Sequence, residues 1–172
     1  LVVQEENVSK AVTQVQNVLA RQANLLPNLA EVVQGYAKNE KELFVQVSEA
    51  RAGLTAVAKM KPEDLANDPK LQKQLIEAQT NMNQAMINMR NVVEKYPELK
   101  SAPLYANLMS EVAGSQNRIT VERRNASLVI ANYNVVVRQV PGKLWAGLFG
   151  FGAKPQFEAS EEEKKTPKLK MT

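Results

Sequence analysis

The sequence predicts an all-α fold, an elongated antiparallel bundle of three long helices with coiled-coil-like packing, or four helices if the first breaks at Pro27. Three observations carry this. Apolar residues recur in alternating steps of four and three along Val8, Val12, Val15, Leu19, Gln22, Leu26, Leu29, Val33, Tyr36, Glu40, Leu43, Val47, Ala50, Leu54 and Val57. Two later stretches keep the same rhythm, from Leu71 to Tyr96 and from Tyr105 to Val140. That step places one narrow apolar face along each helix, which must meet partner helices. Finally, 44% of residues are apolar but only 5% aromatic, enough for a core built from thin Val, Leu, Met and Ala seams.

The first helix is expected over roughly residues 5 to 58, about 80 Å at 1.5 Å per residue. Pro27 removes the bond to the Ala23 carbonyl, so a kink is expected there. A full break is the rival, disfavoured because the seam keeps its phase across Pro27 and because Leu25 and Leu26 are poor caps. Lys59 to Asp68 form a linker, in which Pro62, Glu63 and Asp64 suit a single helical turn. Asp68 before Pro69 is an N-cap and first-turn pair that starts the second helix, and Pro97 stops it at Tyr96. The link Glu98–Pro103 is short, so its flanking helices should be antiparallel. Ser101 is placed to cap the third helix, which runs to Val140 before Pro141-Gly142.

This divides the chain into a bundle (1–141), a Gly- and aromatic-rich apolar segment (142–153) and a charged tail expected to be disordered (154–172). The apolar segment has two possible uses: closing the end of the bundle, or dipping Trp145, Leu148, Phe149 and Phe151 into a membrane or a partner.

Composition excludes much chemistry. The chain has no Cys and no His. Thiol nucleophiles, disulfides, Cys/His zinc sites, His-based acid–base catalysis and Glu-x-x-His di-iron sites are therefore all absent. Glu40 and Glu122 stand roughly 14 Å apart by helical rise, too far for a carboxylate pair. The glycines at 147, 150 and 152 lack the preceding strand and following helix of a phosphate loop. The net charge of +4 is spread thinly. Arg118, Arg123, Arg124 and Arg138 lack the density or interleaved aromatics of a nucleic-acid surface. No enzyme activity, cofactor, metal, nucleic acid or small-molecule substrate is expected.

Polar residues interrupt the seams at Gln22, Glu40 and Glu122. Counting turns with the helices up, down and up sets Glu122 level with Arg51 and Glu40 level with Arg90. Two interhelical ion pairs are expected, with projection into water as the alternative. The second helix is about half as long as the first, which leaves the seam near Val8 to Leu26 unpartnered. Leu19 and Leu26 are thus expected to contact another copy or another protein. No run reaches the ~18 apolar residues of a membrane span. Leu1 stands where an initiator Met would, so a preceding segment is expected.

Residues 21–42 read Arg-Gln-Ala-Asn-Leu-Leu-Pro-Asn-Leu-Ala-Glu-Val-Val-Gln-Gly-Tyr-Ala-Lys-Asn-Glu-Lys-Glu. This resembles the characteristic segment of the bacterial LemA family, approximately R-R-x-D-L-I-P-N-L-V-x-x-V-K-G-Y-A-x-H-E-K-E. The matches are Arg21, Leu25, Pro27, Asn28, Leu29, Val33, Gly35, Tyr36, Ala37, Glu40, Lys41 and Glu42. They continue at Glu49-Ala-Arg51, Tyr96–Lys100, Arg118-Ile119, Asn132–Asn134 and Gly147–Gly152. Gln22, Asn39, Ala126-Ser127 and Val140 depart from the pattern. The resemblance implies an all-helical bundle behind an N-terminal membrane anchor, in a bacterium, with a poorly defined biochemical function. The expectation is a non-enzymatic scaffold of the cell envelope, side of the membrane open, that forms homo-oligomers or binds another envelope protein through its first helix. The alternative is a peripheral membrane module using Trp145–Phe151 with Lys164, Lys165, Lys168 and Lys170.

Overall fold

A computed structural model describes residues 1–139 and 142–157. The helices are α1 (Val2–Tyr36), α2 (Lys41–Ala58), α3 (Pro62–Asn67), α4 (Pro69–Val93), α5 (Pro97–Lys100), α6 (Pro103–Arg138) and α7 (Gly142–Phe149), with no strand among the described residues. Asp68 caps α4 as its sequence suggests, its carboxylate accepting from the Lys70 N–H at 2.9 Å. Ser101 instead closes α5, donating to the Pro97 and Glu98 carbonyls, and α6 starts at Pro103 without a side-chain cap.

The expected single rod over residues 5 to 58 is corrected. Helix α1 runs unbroken through Pro27 and ends at Tyr36. The chain turns over at residues 37 to 40, where Ala37 takes φ −128 and ψ 54, and α2 returns antiparallel to α1. The proof is the amide of Gln16, midway along α1, which donates to the carbonyls of Val57 and Met60 at the far end of α2. Val57 lies in the last turn of α2 and Met60 just beyond its end, where carbonyls lack the partner that a continuing helix would give them.

The core is therefore built from four antiparallel columns, α1, α2 with α3, α4, and α6. Helix α1 packs on α2 and α6, and α2 packs on α4. Helices α2 and α4 approach closely at Gly53 and Ala78, where a Cβ on Gly53 would lie 3.7 Å from the Ala78 Cβ, in ordinary van der Waals contact. Helices α4 and α6 face each other across a wider gap. Long polar side chains span it: Gln116 donates to Asn83 and Arg123 to Gln79. Arg123 is thus buried between helices instead of forming part of an exposed basic stripe.

Helices α1 and α6, 35 and 36 residues long, lie antiparallel along their length. With α3 reaching back to Ser9 through Glu63, they cover the seam from Val8 to Leu26. Leu19 and Leu26 are 0% exposed within a single copy. Both are enclosed by helices of their own chain, and the length argument for an open seam falls.

Candidate functional site

The end of the bundle at which α1 begins and α6 finishes holds the densest polar cluster. Helix α7 follows α6 and stops at Gly150, whose φ of 74° only glycine adopts without strain. The Phe151 N–H closes this cap on the Ala146 carbonyl at 2.9 Å. Residues 151 to 157 then form a strap in the groove between α4 and α6. Asn134 of α6 holds it like a strand partner, donating to the Lys154 carbonyl at 2.9 Å and accepting from the Lys154 N–H at 2.7 Å. Gln72 of α4 donates to the Pro155 carbonyl at 3.3 Å. Phe157 is buried and Phe151 packs half-buried on the core.

Lys154 is the centre of this arrangement. Its side chain is only 4% exposed. The ammonium donates to Glu5 Oε1 at 2.9 Å and to Asn67 Oδ1 at 2.5 Å, and lies 5.0 Å from the centroid of the Tyr133 ring. Carboxylate, amide oxygen and π face together satisfy its three N–H groups, the condition for keeping a buried charge. One side chain thereby joins α1, α3, α6 and the strap. A cleft of about 160 Å³ adjoins it, lined by Glu5, Glu6, Val8, Ser9, Glu63, Ala66 and Lys154. Among the described residues no three His, Cys, Asp or Glu side chains converge as metal ligands.

Burial pushes the Tyr133 hydroxyl well above the ordinary phenol range, and the Glu5 carboxylate beside it adds to the shift. Burial also raises Tyr105, opposed by Arg90 and assisted by Glu94. A group whose folded pKa exceeds its unfolded value stabilises the fold fully below the unfolded pKa and loses that contribution as pH rises through the folded value. Unfolding free energy is therefore expected to fall above pH ~10, by up to about 1.4 kcal/mol per pH unit per tyrosine. Tyr133→Phe should remove its share of that slope and leave Tyr105's. Urea titrations at stepped alkaline pH measure it.

Above the strap the surface is apolar. On α7, Leu144 is 66% exposed, Trp145 49%, Leu148 68% and Phe149 67%, while Ala146 is buried as the point of attachment. The Trp145 and Phe149 rings stack at 5.8 Å and 13°. Val2 and Val3 are exposed at the same end.

The other expected site residues fall elsewhere. The 21–42 segment forms the second half of α1, the turn and the entry to α2. Leu29, Val33 and Ala37 are core, Leu25 and Pro27 are half-buried, and Arg21, Asn28, Gly35, Tyr36, Lys41 and Glu42 face solvent. Neither expected ion pair forms. Because α2 runs down instead of up, Arg51 and Glu122 sit on helices that do not adjoin. Glu40 stands at the N-cap position of α2 without a side-chain cap bond and accepts from the Tyr96 hydroxyl at 3.4 Å, while Arg90 lies near Tyr105. Gln22 is buried, with Nε2 unpartnered. The tail was expected to begin at 154, yet Lys154 to Phe157 pack on the bundle. Sequence reasoning missed Lys154, Glu5 and Asn67. The clue was Phe157, an aromatic following a glycine turn and a proline inside a stretch assigned to solvent. Lys164, Lys165, Lys168 and Lys170 lie outside the described residues, as do Val140 and Pro141.

The fold and this end define a small all-helical bundle with a tied polar knot under an apolar cap. The LemA family model matches residues 11–171, and the chain belongs to the LemA family. It is 25% identical over 148 residues to the magnetosome protein MamQ of Magnetospirillum gryphiswaldense, covering 78% of this chain and 54% of that protein. It is 23% identical over 155 residues to magnetosome proteins MamQ 1 and MamQ 2 of Paramagnetospirillum magneticum, covering 82% of this chain and 57% of each. The chain thus spans little more than half the length of these relatives.

Proposed function

We propose that this chain is a non-enzymatic, membrane-associated bundle of the bacterial cell envelope, seated on the bilayer by its α7 end. The observation that carries the reading is the group of four exposed apolar side chains, Leu144, Trp145, Leu148 and Phe149, beside Val2 and Val3. A contiguous apolar surface rimmed by polar residues marks an interaction site. At 8 residues α7 is about 12 Å long, suited to lying within the headgroup boundary. No helix among the described residues is long and apolar enough to cross a membrane. An anchor preceding Leu1, as the family resemblance implies, would enter the bundle at this same end. Membership of the LemA family supports membrane association. The absence of Cys and His and the full engagement of Lys154 support a non-enzymatic role.

Trp145 is the chain's single tryptophan and reports on its own contact. Its emission is expected to shift to the blue on adding phospholipid vesicles, with the protein co-sedimenting. Leu148→Glu/Phe149→Glu should weaken binding by at least 100-fold, since burying each apolar side chain is worth about 2 kcal/mol, without altering the helical circular dichroism. Unchanged emission and no co-sedimentation would overturn the reading. A dimer in light scattering that the same double variant abolishes would assign the patch to a second copy instead.

A further inference from the structure

The outer flank of α6 is not used by the bundle. From residue 112 to its end, the exposed side chains include Val121, Leu128 and Val135 at a strict seven-residue step, 51–65% exposed, interspersed with Arg118, Arg124 and Arg138. No acid is among them; Glu122 is half-buried to one side. The strap seats along one edge of this flank, where Asn134 holds Lys154 and the Gln156 side chain meets Ser127 and Ala131, and it leaves Val121, Leu128 and Val135 exposed. Counting along the antiparallel pair from Glu5, which lies beside Tyr133, puts Val3 level with Val135. Lys10 and Arg21, both exposed, stand level with the Leu128 and Arg118 turns, and Glu6 is the exposed acid near that end of α1. The flank therefore runs down to the α7 end, and α7 is open on every side except at Ala146.

We propose that this flank is a second lipid contact, selective for anionic headgroups, so that the bundle leans along α6 on an acidic membrane surface. Alternating arginine and apolar residues on one helical face is the pattern of an interfacial helix, with guanidinium groups at the phosphates and aliphatic groups in the acyl boundary. The proposal rests on the membrane reading above and adds both an orientation and a lipid preference to it. An acidic amphipathic helix would also suit arginines. The continuity of the flank with the exposed α7 surface favours lipid.

The test is designed to separate this proposal from the α7 reading. Vesicles of phosphatidylcholine alone and of phosphatidylcholine with phosphatidylglycerol are titrated against the 172-residue chain. Because the chain has no cysteine, Asn125→Cys on the flank carries one environment-sensitive dye, and Ala52→Cys on α2, which does not adjoin α6, carries the control. Anionic vesicles should bind more tightly, with a blue shift at position 125 and none at 52, and the gain should vanish in high salt. Arg118→Gln/Arg124→Gln/Arg138→Gln should weaken anionic binding on the order of 100-fold while leaving the Trp145 shift in phosphatidylcholine intact. All five positions substituted or labelled are exposed, so folding is retained. Equal affinity for both vesicle types, or no dye response at 125 while Trp145 still shifts, overturns the flank contact alone. Loss of the Trp145 shift in both vesicle types overturns the α7 reading instead.

Discussion

Leu26→Glu is expected to unfold the chain, not to dissociate an assembly. Leu26 is 0% exposed midway along α1, and its seam neighbours Ala23 and Leu29 are equally enclosed. The substitution removes a buried aliphatic group, worth about 2–5 kcal/mol by the Leu→Ala scale. It also buries a carboxyl group that meets no free base: among the described residues the buried Arg123 is already bonded to Gln79, and the Gln22 Nε2, one helical turn away, offers a neutral donor only. Burying that group, even in its neutral form, adds several kcal/mol. The sum is comparable with the 5–15 kcal/mol that stabilises a typical domain. Circular dichroism should lose its cooperative melt, and size exclusion should show an expanded chain. Leu26→Ala, losing only the packing, should still fold with a lower Tm. A folded Leu26→Glu chain that merely changes its oligomeric state would mean that the seam is covered from outside, contrary to the single-copy packing described here.

The same residue explains where sequence reading succeeded and where it failed. The heptad step identified the core with few errors: Val8, Val12, Val15, Leu19, Leu26, Leu29, Val33, Leu43, Val47 and Leu54 are all buried. Periodicity reports which face is inside, but not which way the chain runs. At Ala37 to Glu40 a tight turn replaces about one helical turn, and both helices aim their stripes at one core, so the step passes through the reversal unchanged. Pro27 attracted attention as a breaker. The real boundary has weaker punctuation, Gly35 followed by Lys38-Asn39, whose signal is masked by the apolar Ala37 between them. Once α2 is reversed, every height count built on a continuous rod fails, which is why the two ion pairs at Arg51 and Arg90 are absent. The segment around Trp145 was legible as apolar, but its sequence left open whether it closes the bundle or faces outward: Trp145, Leu148 and Phe149 are exposed, whereas Phe151 packs on the core. The Lys154 knot was not legible, because it joins residues 5, 67, 133 and 154, which no local pattern connects.

Lys154→Met is expected to loosen the strap and the α7 end before the rest of the bundle. The substitution keeps the length and apolar stem of the side chain but removes the ammonium. The Glu5 carboxylate then loses its counter-charge, and its Oε2 is already buried with no hydrogen-bond partner. Breaking a buried pair costs about 3–5 kcal/mol, and the lower end applies because Glu5 is 35% exposed and regains some hydration. Glu5→Gln should cost a similar amount by leaving the more deeply buried ammonium without its anion. Glu5→Leu/Lys154→Met should recover a large part of the loss, since an apolar pair demands no desolvation of charge. A double-mutant cycle in urea measures that coupling. The location of the damage is a separate readout. Although Asn134 and Gln72 still hold the strap backbone, loss of the ammonium's ties to Glu5 and Asn67 should accelerate proteolytic cleavage near Gly150–Gly152 in Lys154→Met while α1 and α6 remain protected. Because α7 is fixed to the bundle through this strap, Trp145 should also bind vesicles less tightly in the variant. Wild-type stability and an unchanged cleavage rate would show that the buried ammonium contributes nothing to holding this end together, and that α7 is positioned by Ala146 and Phe151 packing alone.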